Sequence, residues 1–112
     1  MEAKTEDQGA RMAFKMKLRP GCKDEYIKRH QAIWPALAEL LKANGVNDYS
    51  IFLDEASNTL FAVQKVSGDA GSQELGSHEV VQTWWKYMSD IMETNADNSP
   101  VTVRLEEVFY LK

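Results

Sequence analysis

From Arg11 onward the spacing of apolar residues switches repeatedly between two periods, and this switching is the strongest constraint on the fold. Met12, Phe14, Met16 and Leu18 alternate with Ala13, Lys15 and Lys17, so Arg11–Leu18 has the period of a half-buried strand. Pro20-Gly21 then turns the chain. Over Lys23–Ala43 the apolar positions Ile27, Ile33, Trp34, Leu37, Leu40 and Leu41 fall three and four apart, which predicts a helix. Asn44-Gly45 stops it, because glycine accepts the left-handed conformation. Pro35 lies inside this helix; its ring removes one donor and clashes with the carbonyl of Gln31, so a kink or a restart is expected there. Period two returns over Asp48–Asp54 and Thr59–Val66, and the short turn around Ala56-Ser57-Asn58 makes these a hairpin. Ser67–Ser77 is rich in glycine and serine and reads as a loop with room for one weak helical turn. A second helix is predicted over Glu79–Glu93, with Val81, Trp84, Trp85, Met88, Ile91 and Met92 on one side. The polar loop Thr94–Pro100 leads to a last strand, Val101–Leu111.

Strand, helix, strand, strand, helix, strand is the split βαβ, or ferredoxin-like, order. The expected fold is α+β: a four-stranded antiparallel sheet with two helices on one face, in a single domain over residues 11–112. Residues 1–10 are polar, without apolar period, and are expected to form a mobile tail. The last strand is apolar at both parities, through Val103, Leu105, Val108, Phe109, Tyr110 and Leu111, and the third strand likewise. One sheet face cannot bury all of these, so a homodimer packed sheet against sheet, of the dimeric α/β-barrel type, is expected.

Composition removes several function classes. Thirteen basic against seventeen acidic residues give a formal net charge of −4, which argues against a nucleic-acid binder. No apolar run approaches the roughly 18 residues of a membrane span, so no membrane partner is expected. The polar N-terminus has no signal-peptide core, and the single cysteine, Cys22, cannot form an internal disulfide; a cytoplasmic location is expected. One cysteine and two histidines nearly exclude a classical zinc site, and no metal is expected.

Three groups could carry chemistry. Tyr26 and His30 are four apart, one turn apart on one helix face, and Trp34 continues that line. They are either satisfied polar groups at a helix–sheet boundary or the wall of a pocket containing a group able to exchange protons near neutral pH. Trp84 and Trp85 are adjacent, so they point about 100° apart. They are either one core and one rim residue or an aromatic platform on which the C–H face of a sugar could pack. Tyr49 opens the second strand, and Asp97-Asn98-Ser99-Pro100 is turn chemistry that could also rim a pocket.

These residues, in this order, resemble the L-rhamnose mutarotase family. The segments that carry the resemblance are KDEYIKRHQAIWPALAELLKANG, NDYSIFLDEASNTLFAV, QTWWKYMSDIM, NADNSPV and LEEVFYL, nearly the whole chain after residue 10. The resemblance implies a small dimeric protein that interconverts the α and β anomers of L-rhamnose without metal or organic cofactor. It implies that His30, in RH-x-x-I-W-P, is the proton donor and that Tyr26, Tyr49, Trp84 and Trp85 bind the sugar. The chain departs from the family pattern in Ser67–Ser77, which lacks a tryptophan often found there, and at Ala96, where a proline is common. The alternatives the residues leave open are a cofactor-free oxygenase or haem-binding protein of the same fold, using His30 as base or ligand, and a non-catalytic sugar-binding module.

Overall fold

The computed structural model describes residues 10–68 and 70–112. Of the expected tail, residues 1–9 lie outside the described residues, and Ala10 belongs to the first strand. The elements in chain order are β1 (Ala10–Lys17), α1 (Lys23–Gln31), α2 (Pro35–Ala43), β2 (Val46–Asp54), β3 (Thr59–Val66), a 3-10 turn at Ser72–Glu74, α3 (Glu79–Met88) and β4 (Val103–Leu105). The sheet is antiparallel throughout, in the order β2-β3-β1-β4 expected of the split βαβ pattern.

One face of the sheet builds the core. Phe14 and Met16 of β1 and Leu18 just beyond it, with Leu60 and Ala62 from β3, pack against Tyr26 of α1, Leu37 of α2 and Val81, Trp84, Trp85 and Met88 of α3. The period-two pattern of the sequence therefore points its even-numbered positions at the helices in both central strands.

The predicted first helix is two helices, so among the described residues three rather than two cover the sheet. Pro35 takes the first helical position of α2, where its missing N–H costs nothing. Trp34 before it is extended, at φ −64° and ψ 129°, as the residue preceding a proline must be. The restart anticipated at Pro35 is thus what occurs. Gly45 closes α2 at φ 86°, with the backbone nitrogen of Gly68 only 3.0 Å from where a Cβ would sit.

Two boundaries differ from expectation. The second predicted helix ends at Met88 instead of Glu93. Ile91 and Met92 remain buried but leave the helix to bond the exit of β1: Arg19 N–H donates to the Ile91 carbonyl at 2.8 Å, and Glu93 N–H donates to that of Lys17 at 3.1 Å. The last strand pairs only over Val103–Leu105, opposite Ala13–Lys15. Beyond it Val108, Phe109 and Leu111 are 88%, 77% and 79% exposed, because a segment apolar at both parities has no face of this sheet to enter. Arg11 holds the tail instead, through Glu107 at 3.3 Å and by lying over the Tyr110 ring at 3.7 Å.

Candidate active site

Between the helices and the sheet lies a cleft of about 860 Å³, within the range of small-molecule sites. Tyr26, His30, Tyr49, Trp84 and Trp85, the five site residues expected from the sequence, all line it. Ser72, Gln73, Asn98 and Pro100 line it as well, so the Asp97–Pro100 turn does rim a pocket.

The four-residue spacing in α1 places Tyr26 and His30 face to face, with ring centroids 4.2 Å apart and planes at 25°. Trp84 meets His30 edge-on at 5.5 Å, and Trp34 meets Trp84 edge-on at 5.0 Å. A continuous aromatic wall therefore runs from α1 to α3. Arg29 fastens it from behind. Its guanidinium grips both carboxylate oxygens of Asp90, at 2.9 and 3.2 Å, bonds Glu25 at 2.8 Å and donates to the Tyr87 carbonyl at 2.7 Å. The hydrogen bond to Asp90, with that to Glu25, raises the Arg29 pKa further, and the same bond lowers that of Asp90.

His30 has a defined polarity. Its Nδ1 lies 3.1 Å from the Tyr26 carbonyl, an atom that only accepts, so Nδ1 carries the hydrogen. In the neutral ring Nε2 is left with its lone pair. Burial lowers the His30 pKa below its ordinary 6.5, against a smaller opposing effect of the Tyr26 carbonyl. The resting ring is therefore neutral at pH 7, with an acceptor at Nε2. Burial also pushes the Tyr26 phenol far above its ordinary value, so that hydroxyl stays protonated.

Trp84 and Trp85 are equally buried, each 8% exposed, and both border the cleft. The reading of one core and one rim indole does not hold. Trp85 reaches the cleft because Gly76 lets the preceding loop pass close by; a Cβ there would sit 2.8 Å from the indole Cη2 and Cζ3.

Tyr49 stands across the cleft on β2 and is tied to a polar group that the sequence reading missed. Gln64 is fully buried in β3, and its amide bonds the Ser72 hydroxyl at 2.9 Å and the Ser72 N–H at 2.8 Å. The Ser72 hydroxyl lies 3.4 Å from that of Tyr49. Burial raises the Tyr49 pKa, while the hydrogen bonds from Ser72 and Gln64 oppose the rise. The available signal was parity: Gln64 occupies a core-facing position between Ala62 and Val66.

The L-rhamnose mutarotase family matches residues 11–111. An L-rhamnose mutarotase of Formosa agariphila is 60% identical over 102 residues, covering 91% of this chain and 98% of that protein. One from Bacteroides thetaiotaomicron is 60% identical over 101 residues, covering 90% and 97%. The crystal structure of an L-rhamnose mutarotase from Formosa agariphila superimposes with a TM-score of 0.86 at 56% identity, covering 92% of this chain and 99% of that one.

Proposed function

The chain belongs to the L-rhamnose mutarotase family, and on that premise we propose that it interconverts the α and β anomers of L-rhamnose by acid–base opening and closure of the sugar ring. The observation that carries this reading is the His30 ring on the wall of the cleft, with Nδ1 committed to a carbonyl and Nε2 left as an acceptor.

Ring opening needs one proton delivered to the ring oxygen and one removed from the anomeric hydroxyl. Both oxygens are on the same carbon, so one imidazole nitrogen can serve both. Neutral His30 takes the hydroxyl proton at Nε2 and, as the resulting cation, donates it to the ring oxygen. The aldehyde rotates about C1–C2, and the reverse transfer closes the ring on the other face. The low pKa of His30 makes that cation a better acid. Tyr26 and Tyr49 offer phenols to sugar oxygens. Trp84 and Trp85 offer indole faces to the ring's C–H surface and methyl group.

His30→Ala is expected to slow anomer exchange, followed by saturation-transfer NMR on L-rhamnose, by about 10²–10⁴-fold. Exchange at the wild-type rate would sink the assignment. The family and the relatives described above are mutarotases, which leaves the oxygenase, haem-binding and binding-module readings unfavoured.

The functional unit is proposed to be a homodimer, with sheet packed on sheet. Supporting it, Phe52 and Val103 on the helix-free face are 62% and 51% exposed, beside Phe61, Val63 and Leu105. We place the enzyme in the cytoplasm on its lone free cysteine, which cell fractionation would check. Among the described residues no helix is long and apolar enough to cross a membrane.

A further inference from the structure

We infer that Gln64 and Ser72 are positioning residues that fix the direction of the Tyr49 hydroxyl, making Tyr49 a hydrogen-bond donor into the cleft. The inference rests on the mutarotase reading above and assigns a role to two residues outside the five it uses.

Gln64 and Gln73 both present donors to the Ser72 hydroxyl. The backbone N–H of Ser72 can only donate, so the Gln64 atom 2.8 Å from it is the amide oxygen. The Gln64 NH₂ therefore faces the Ser72 hydroxyl, at 2.9 Å, and donates to it. The side-chain nitrogen of Gln73 lies 3.3 Å from the same oxygen and donates a second bond. A serine hydroxyl has two acceptor sites and one hydrogen. With both sites occupied, that hydrogen is left for the Tyr49 oxygen, 3.4 Å away. Tyr49 accepts from Ser72 and keeps its own hydrogen for whatever fills the cleft that it lines.

The surroundings hold this arrangement in place. Gln64 is fully buried and Ser72 nearly so, which limits competition from water for the bonds between them. A Cβ at residue 71 would stand 2.8 Å from the Gln64 amide oxygen and 2.7 Å from Met12 Sδ, so Gly71 lets the loop approach β3 this closely. Accepting a bond from Ser72 also makes the phenol a stronger donor. A fixed donor favours the sugar oxygen that is losing its proton, the one on which negative charge develops as His30 takes it. Tyr49 is thereby the partner of the anomeric oxygen, opposite the imidazole.

The test is a double-mutant cycle of Ser72→Ala and Tyr49→Phe. It is read as kcat/KM for L-rhamnose anomer exchange by NMR, as L-rhamnose Kd by calorimetry and as Tm. Ser72→Ala is expected to lower kcat/KM about three- to tenfold, the effect of one hydrogen bond, and to change nothing further once Tyr49 is phenylalanine. Ser72→Thr keeps the hydroxyl and is expected to keep the activity. An equal loss in both backgrounds, tracking Tm, would reduce Ser72 to a loop anchor, and no loss in either would overturn the inference. Wild-type protein that binds L-rhamnose without speeding its exchange would overturn the mutarotase reading instead. The coupling in Kd would then judge the Ser72–Tyr49 link alone.

Discussion

A single carbonyl, that of Tyr26, sets the polarity of the His30 ring, because it takes the Nδ1 hydrogen and leaves Nε2 as the acceptor. The pH dependence follows. Burial holds the folded-state pKa of His30 below 6.5, so as the pH falls past 6.5 the unfolded chain takes up a proton that the folded one refuses. The stabilising contribution of this neutral ring is present above 6.5 and is lost as the pH falls through the depressed value. Activity follows the same direction: the kcat/KM of anomer exchange is expected to hold constant through pH 6.5 and to fall only in more acid solution, as Nε2 becomes protonated before sugar binds. A pH–rate profile checks this, and a midpoint above 6.5 would contradict it. At this scale the site was partly legible, because a tyrosine and a histidine one helical turn apart can only share a face, whereas Trp34 lies beyond the end of α1 and joins the wall through Trp84 instead. Gln64 and Ser72 were not. A glutamine in a strand looks like any surface residue until the register shows that it sits among core positions.

Element boundaries were legible where local chemistry sets them and illegible where pairing does. Pro35 announced the restart of α2, and Gly45 its end, since each constrains its own backbone. The end of α3 at Met88 and the short β4 had no such local signal. Ile91 and Met92 fit a helix by period, yet they bond to Lys17–Arg19, residues more than seventy positions earlier. The loop before α3 matters through what it leaves out. Gly76→Ala would place a methyl 2.8 Å from the Trp85 indole, and the loop or the ring must shift. The expected result is a loss of about 1–3 kcal/mol in stability by chemical denaturation, with weaker L-rhamnose binding. Unchanged stability and affinity would mean that the loop yields without disturbing Trp85.

At the scale of the whole molecule, the four-stranded antiparallel sheet and its covering helices agree with the order read from apolar spacing, and the helix-free face leaves Phe52 and Val103 exposed, which is the ground for the proposed dimer. Phe52→Asp puts a charge on that face, on the edge strand β2. Light scattering is expected to show a dimer for the wild type and a monomer for this variant, and a monomeric wild type would refute the dimer. The aromatic wall has a further consequence, an optical one. Of the three indoles in the chain, Trp84 and Trp85 border the cleft and Trp34 lies 5.0 Å from Trp84. All the indole fluorescence of the protein therefore originates at or beside the place where a sugar would sit. The molecule carries its own reporter, and occupancy of the cleft can be followed in the unlabelled protein by emission alone.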